Sequence, residues 1–211
     1  MIRVTGNTVI VLDFETTGFS PDSGDRVTEV AAVVIEGGRI GRRYHSLMNA
    51  GVHIPPDVQE LTGITNSMIR KAPPASEVIQ DLAGFIGAIP LIAHNASFDR
   101  RFLDAELRRL RRRIRQEIMC SMRVARRVYP NAKDHKLSTL VKLTGVRSRG
   151  SQHRALTDAM MTANLWLKMQ KTIGSVYKLK NVPLDLMRHL QSIPCGSLDA
   201  FISRYREMNG I

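Results

Sequence analysis

The sequence predicts an α/β fold in which a mixed central sheet is flanked by helices. The first part of the chain contains strand-like apolar runs in succession, and the later runs alternate with segments of helical periodicity. With 211 residues, 43% of them hydrophobic, the chain is long enough for one well-packed domain. These observations predict a single layered core and argue against wholesale disorder.

Three strands are predicted at the start of the chain. Residues 8–13 form an apolar, β-branched run that ends in a polar segment, as central strands often do. A second apolar run covers Val27–Glu36, and Gly37 and Gly38 provide a turn into a third strand over residues 39–48. We therefore expect an antiparallel meander.

Helices and short strands alternate after this meander. Residues 76–89 have helical spacing that Pro90 stops, and Leu91–Ala93 is a brief buried strand. A second helix is predicted from Ser97, its expected N-cap, with an apolar stripe reaching Ile114. A strand over residues 118–122 and helices over residues 137–143 and 154–169 follow.

The predicted motifs end near residue 171. We therefore predict a main domain over residues 1–171 and a C-terminal extension of short helices over residues 172–211. Proline and glycine divide the extension into short pieces around an apolar segment, Leu184–Leu190. Such pieces are suited to docking on the core or to binding a partner.

The charge balance predicts a polyanionic partner. Lys and Arg number 31 and Asp and Glu 19, which gives a formal net charge of +12. Charge alone does not distinguish nucleic acid from an anionic membrane surface. No apolar run approaches the ~18–20 residues that a membrane span needs, and residues 1–7 do not resemble a secretory signal. We therefore expect a cytoplasmic protein that does not bind a membrane.

Five groups suited to metal-dependent hydrolysis lie far apart in the sequence. Asp13 and Glu15 are two residues apart on a predicted strand and so share a face. Asp99 and Asp158 fall in early helical turns, and His153 precedes the second of these helices. Divalent cations prefer hard oxygen ligands, and an attacking water needs a base. Taken singly, each acid has a structural alternative as a solvated strand end or a helix cap.

The segments resemble a known family. Residues 13–18 read DFETTG, residues 94–99 read HNASFD, and residues 153–158 have the pattern HxAxxD. These match, in order, the three motifs of the DnaQ-like DEDDh 3′→5′ exonucleases, and LTGIT at residues 61–65 matches a further segment of that family. The resemblance covers about residues 8–167. It implies an RNase H-like mixed sheet and release of 5′-mononucleotides from the 3′ end of single-stranded DNA or RNA.

The resemblance also implies a role for each site residue. Asp13, Glu15 and Asp158 would hold one divalent cation, Mg²⁺ or Mn²⁺, and Asp13 with Asp99 a second. His153 would deprotonate the attacking water. The residues implied to contact substrate are Phe14, Thr16, Thr17, Gly18, Leu61, Thr62, Gly63, Ile64, His94, Asn95 and Phe98. Core packing is the alternative for the apolar members of this set, and turn capping is the alternative for His94 and Asn95.

Arginine is concentrated in one part of the chain. Residues 100–136 contain 13 Lys and Arg but 4 acids, whereas residues 1–99 contain 7 and 11. We expect this run to form a nucleic-acid track beside the cleft, although a solvated helix face is the alternative. The predicted track residues are Arg108, Arg111, Arg112, Arg113 and Arg115.

Three functions remain open from the sequence. The leading one is a 3′→5′ exonuclease, of which a polymerase proofreading component is one form. An RNA-trimming exoribonuclease, similar to oligoribonuclease or RNase T, is the alternative, and a non-catalytic nucleic-acid-binding module is less favoured. A DNA polymerase subunit and a second copy of the chain are the candidate protein partners.

Overall fold

A computed structural model describes residues 7–147 and 153–210 of the chain. Every predicted site residue lies within these ranges. Residues 1–6, which belong to the segment assessed for a secretory signal, lie outside them.

The central sheet has five strands among the described residues. They are β1 (Val9–Thr16), β2 (Val27–Glu36), β3 (Arg39–Leu47), β4 (Leu91–Ala93) and β5 (Ile118–Cys120). Their spatial order is β3-β2-β1-β4-β5, with β1 antiparallel to β2, β2 antiparallel to β3, and β4 parallel to both β1 and β5. The predicted mixed sheet, with an antiparallel meander followed by parallel strands, is therefore confirmed.

Helices cover both faces of the sheet. They are α1 (Pro56–Thr62), α2 (Asn66–Arg70), α3 (Ala75–Ile86), α4 (Ala96–Arg109), α5 (Ser121–Val128), α6 (Leu137–Thr144), α7 (Ala155–Val176), α8 (Leu184–Leu190) and α9 (Leu198–Asn209). No helix within the described ranges combines the length and apolar character required for a membrane crossing.

Alternation along β1 divides the core into two layers. Val9 and Val11 join the cluster that contains α7, whereas Ile10 and Leu12 join the cluster that contains α3 and α4. Successive side chains of a strand point to opposite faces, so Asp13 and Glu15 follow Val9 and Val11 toward α7. Trp166 of α7 is buried in the first of these clusters, where it is 1% exposed.

Several predicted boundaries were wrong. The N-cap of α4 is Asn95, in the left-handed conformation with φ 70°, and Ser97 lies inside the helix. The helix ends at Arg109 because Arg111 adopts φ 54° and the chain turns there, although the apolar stripe continues to Ile114. β1 extends past Asp13 to Thr16, so both acids of the first motif lie within the strand.

The C-terminal part of the chain packs on the main core. Leu184, Leu186, Met187 and Leu190 of α8, with Ile202 of α9, are buried in the α7 cluster. Helix α7 continues to Val176, so residues 172–176 extend a core helix beyond the predicted boundary at residue 171. The division into a domain and an extension remains a prediction.

Candidate active site

The carboxyl end of β1 carries the first two acids of the site. Asp13 and Glu15 pair with Ala31 and Glu29 of β2, and the register of the two strands shifts directly after Glu15. Both side chains are partly buried. Because β1 is central in the sheet, helices from either face can bring further groups to this strand end.

Helix α4 brings Asp99 to the same place. Asp99 lies in the first turn of α4, is 3% exposed, and is hydrogen-bonded by the backbone N–H groups of Asp99 and Phe14. The contact with the Phe14 amide places the carboxylate directly beside β1. A dipole-facing position in the first turn also suits an anion.

The start of α7 supplies the remaining two groups. His153 has φ 60°, and its backbone N–H donates to Asp158 Oδ2 at 3.1 Å. Ligand atoms of Glu15, His153 and Asp158 all lie within 4.8 Å of one another. His153 is exposed and Asp158 partly buried, so this group of side chains opens to solvent on one side.

The acids strongly perturb one another. Burial, followed by the charges of Asp99, Asp158 and Glu15, raises the pKa of Asp13 well above its ordinary value. Burial and the charge of Asp158 raise the pKa of Glu15 to about 8, and burial raises that of Asp99 to about 8. Burial also raises the pKa of Asp158. The site therefore gathers four carboxylates whose negative charge a cation would neutralise.

Glu29 is a site component that the sequence analysis missed. It is fully buried and accepts hydrogen bonds from Arg154 Nη2 at 2.6 Å, the Ala155 amide at 2.8 Å and His45 Nε2 at 2.8 Å. Burial alone raises its pKa, but these hydrogen bonds lower it to about 2. Glu29 is thus an ionised carboxylate that fixes the start of α7 to the sheet. The sequence did contain a signal for it, because Glu29 is an acid within the apolar run Val27–Glu36 and a buried acid needs partners.

The turn after β1 is held by Asp25. Its carboxylate accepts the Ser20 amide at 3.0 Å and the Thr17 hydroxyl at 3.3 Å, while Thr16 Oγ1 donates to the Gly18 carbonyl at 2.6 Å. A Cβ atom at Gly18 would lie 2.5 Å from both Asp25 carboxylate oxygens. Only glycine at position 18 therefore lets the Asp25 carboxylate lie this close to the backbone. The hydroxyls of Thr16 and Thr17 are engaged within the protein.

The apolar residues implied to contact substrate divide by exposure. Phe14 is 5% exposed and Ile64 is 0% exposed, so neither side chain can stack on a base, and core packing accounts for both. Leu61, at 56%, is open to solvent on α1. Thr62 donates to the Val58 carbonyl, and Gly63 has φ 70° as the C-cap of α1. Leu61 alone among these residues offers an exposed apolar side chain.

Phe19 is an exposed aromatic residue that the sequence analysis did not select. Its side chain is 86% exposed, directly after Gly18 in the turn that follows β1. The ring therefore offers aromatic surface that packing within the described residues does not use. Its position immediately after the DFETTG motif was the signal that could have identified it.

The HNASFD segment has mixed roles. His94 Nε2 donates to the His135 carbonyl and Nδ1 contacts Ser121 Oγ, each at 2.9 Å, and burial lowers the pKa of His94 to about 4. Both ring nitrogens thus contact residues outside the turn before Ser97, at the start of α5 and in the loop before α6, so His94 does not make the predicted cap. Asn95 is exposed and makes no side-chain cap. Phe98 is partly buried and packs on Phe102, with ring centroids 4.9 Å apart.

The predicted arginine track lies farther from the acids than expected. Arg108 is at the end of α4, nine residues after Asp99, which corresponds to about 14 Å along a helix axis. Arg111, Arg112, Arg113 and Arg115 follow in the loop that enters β5, toward the opposite end of the parallel strands. Proximity in sequence suggested proximity to the cleft, but α4 runs away from it.

Comparisons with known proteins agree with the fold. A family profile described as "Exonuclease" matches residues 10–166. The chain belongs to the DnaQ-like 3′→5′ exonuclease family. Among curated relatives of this exonuclease is the DNA polymerase III subunit epsilon of Aquifex aeolicus (strain VF5), 32% identical over 182 residues, with 83% of this chain and 89% of that protein covered.

A second relative is much longer. The PolC-type DNA polymerase III of Bacillus subtilis (strain 168) is 37% identical over 166 residues, which cover 78% of this exonuclease but 11% of the polymerase. Among solved structures, exonuclease X in complex with 5′ overhanging duplex DNA has a TM-score of 0.69 at 27% identity, covering 87% of this chain and 99% of that one. The nuclease domain of 3′hExo, a DEDDh family member bound to rAMP, shares the fold with a TM-score of 0.69 at 17% identity. That match covers 78% of this chain and 92% of the 3′hExo domain.

Proposed function

We propose that this chain hydrolyses the terminal phosphodiester bond at the 3′ end of single-stranded nucleic acid and releases 5′-mononucleotides, with two divalent cations as cofactors. The observation that supports this most strongly is the meeting of Glu15, His153 and Asp158 within 4.8 Å, beside Asp13 and Asp99. Burying four acids together is costly unless cations bind them, so a binding module would gain nothing from this arrangement.

The donor set fits hard divalent cations. Carboxylate oxygens dominate and the described site contains no thiolate, which favours Mg²⁺ or Mn²⁺ over structural zinc. Asp13, Glu15 and Asp158 would hold one ion, and Asp13 with Asp99 the other. When bound, the pair would stabilise the attacking and departing oxygens of an in-line displacement.

His153 is the proposed general base. Its side chain is exposed at the edge of the acidic group, and its backbone N–H is anchored to Asp158 Oδ2. The imidazole can therefore reach a water in the open part of the site while the backbone keeps it in place. Accepting a proton from that water is the task of such a base.

Exposed groups around the acids would receive the terminal nucleotides. Leu61 and Phe19 offer apolar surface for bases, a form of contact that tolerates any sequence. Asn95 offers an exposed amide beside the first turn of α4.

The relatives support DNA as the substrate and proofreading as the task. The relative from Aquifex aeolicus is a subunit of DNA polymerase III and aligns over most of both chains. On this basis a DNA polymerase subunit is the proposed protein partner. The +12 net charge suits either DNA or RNA.

Digestion of 5′-labelled single strands tests the proposal. Matched DNA and RNA oligonucleotides, with Mg²⁺, with Mn²⁺ or with a chelator, should give ladders that shorten from the 3′ end only when the cation is present. Faster DNA cleavage, and faster removal of a mismatched primer end, would support proofreading. Preference for RNA would indicate an RNA-trimming enzyme, and the lack of cleavage on all substrates would refute the proposal.

A further inference from the structure

Two clefts border α4 and have Arg100 in common. The first, about 510 Å³, begins at Asn95–Ser97, next to the turn that holds Asp99, and extends to Arg123 and Arg126 of α5. The second, about 390 Å³, extends from Arg100 to Arg108 and Arg111–Arg113. The result is a continuous arginine-lined surface that starts at the first turn of α4, the turn that also carries Asp99, and follows the helix to its far end.

Six arginines of this surface are exposed and lack an ion-pair partner among the described residues. Arg108, Arg111, Arg112, Arg113, Arg123 and Arg126 are all exposed. None of these six forms a side-chain ion pair with any residue in the described part of the chain. We call these six residues and Arg100 the arginine strip.

The acids that line the two clefts are already paired. Asp104 accepts from Arg100 Nε at 2.6 Å, and Glu117 lies 3.3 Å from Arg188 Nε and accepts from Gln191. They therefore do not neutralise the free arginines. The six unpaired arginines therefore give both clefts a net positive charge.

Arg100 is held in place between the clefts. Besides its bond to Asp104, its Nη1 donates to the Gln116 carbonyl at 3.2 Å, and its side chain remains 38% exposed. A guanidinium fixed in this way binds an anion with little loss of side-chain entropy.

We infer that the arginine strip binds the phosphodiester backbone of the substrate strand upstream of the 3′ end that the acidic site cleaves. This inference rests on the proposed function. The start of this surface beside the turn that carries Asp99 favours the substrate strand over an acidic protein, and forked guanidinium groups suit phosphate. The arginine strip includes Arg123 and Arg126, which the sequence analysis did not select. It excludes the predicted track residue Arg115, which lines a different cleft with Gly87 and Ala88.

The geometry sets a length requirement. The distance of about 14 Å from Asp99 to Arg108 corresponds to roughly four stacked nucleotides at 3.4 Å each. A dinucleotide therefore reaches the acidic site but not the far end of the strip. Longer strands contact both, so loss of the strip should affect them selectively.

Steady-state kinetics on short and long substrates test the inference. The variant Arg108→Gln/Arg111→Gln/Arg112→Gln removes three charges from the strip, and Arg39→Gln/Arg43→Gln removes two from β3, at the opposite edge of the sheet. For a DNA strand of about 20 nucleotides we expect the strip variant to raise KM about tenfold and to lower the slope of log KM against log salt by about 2. Its kcat, its kinetics on a dinucleotide and all parameters of the β3 variant should stay within about twofold of wild type.

Two results would overturn the inference. One is an unchanged KM and salt slope on the long strand; the other is an equal loss on the dinucleotide, which would place the effect in the acidic site. Binding of the labelled long strand, measured by fluorescence anisotropy in the presence of a chelator, separates the role of the arginine strip from the proposed nuclease activity. Weaker binding by the strip variant supports the strip even if wild type cleaves nothing, and equal binding by both refutes it.

Discussion

Glu29 of β2 and Arg154, the residue before α7, form a charge-assisted hydrogen bond of 2.6 Å that fixes the His153 segment to the sheet. We predict that Glu29→Gln lowers the free energy of unfolding by about 3 kcal/mol, because it leaves the guanidinium without its buried partner. We also expect kcat to fall, since His153 and Asp158 then lose their position. Denaturant unfolding and steady-state kinetics measure the two effects.

Glu36→Gln is the matched control for this prediction. Glu36 ends the same strand but is exposed, so its change should cost less than about 0.5 kcal/mol and leave kcat unaltered. If Glu29→Gln behaved like this control, Glu29 would neither stabilise the fold nor position His153 and Asp158.

Gly18→Ala should disturb the turn after β1. The added methyl group would lie 2.5 Å from the Asp25 carboxylate oxygens, which must then leave the Ser20 amide. We expect a loss of about 1–2 kcal/mol in stability and a higher KM. In the control, Gly84→Ala in α3, the new methyl group meets no atom within 4 Å beyond its chain neighbours and the backbone of its own helix, so stability should rise by up to about 1 kcal/mol. Equal effects of the two changes would argue against close packing at Gly18.

Leu61→Ala should weaken substrate binding without unfolding the protein. The side chain is 56% exposed, so we expect a several-fold increase in KM on single-stranded DNA and a stability change below about 0.5 kcal/mol. Leu143→Ala on α6 is the control, because Leu143 is also 56% exposed. Phe19→Ala should resemble Leu61→Ala. If KM were unchanged in both Leu61→Ala and Phe19→Ala, neither side chain would contact a base.

The raised carboxylate pKa values predict a pH-dependent effect of cations on stability. Glu15 and Asp99 have pKa values near 8 in the metal-free fold but ordinary values near 4 when unfolded, so the folded state binds more protons between these limits. The stability of the metal-free protein should therefore decline as the pH rises from about 4 to 8. Added Mn²⁺ should raise Tm more at pH 8 than at pH 5.

The variant Glu15→Gln/Asp99→Asn provides the control for this thermal experiment. Its amide groups do not titrate, so its Tm should vary less with pH and respond little to Mn²⁺. A wild-type response to Mn²⁺ that was the same at both pH values would contradict the proposed cation site.

Much of the fold was predictable because periodicity and turn chemistry agree along the chain. The run Val27–Glu36 was predicted with its exact bounds, since β-branched residues fill it and Gly37-Gly38 follows, both with positive φ. Helices α1, α2 and α5 were missed because they are short and stabilised by tertiary contacts. The predicted extension of short helices was not divided into individual helices, and residues 198–209 form α9, with Ile202 buried in the core.

The site was predictable where motif chemistry requires particular residues and unpredictable where packing decides. Asp13, Glu15, Asp99, His153 and Asp158 were selected from their residue types and order, and the fold places them together. The buried Glu29 was missed because its partners, His45 and Arg154, are distant in sequence. Phe14 and Ile64 match a family segment, but β1 and the loop after α1 turn their side chains into the core.

Direct titration of Mn²⁺ tests the central claim, that acids from separate elements form one pocket for a pair of cations. Wild type should bind two ions per chain in the presence of a nucleoside monophosphate, whereas Asp13→Asn should bind at most one and lose nuclease activity while remaining folded. Undiminished Mn²⁺ binding and turnover by Asp13→Asn would contradict the account.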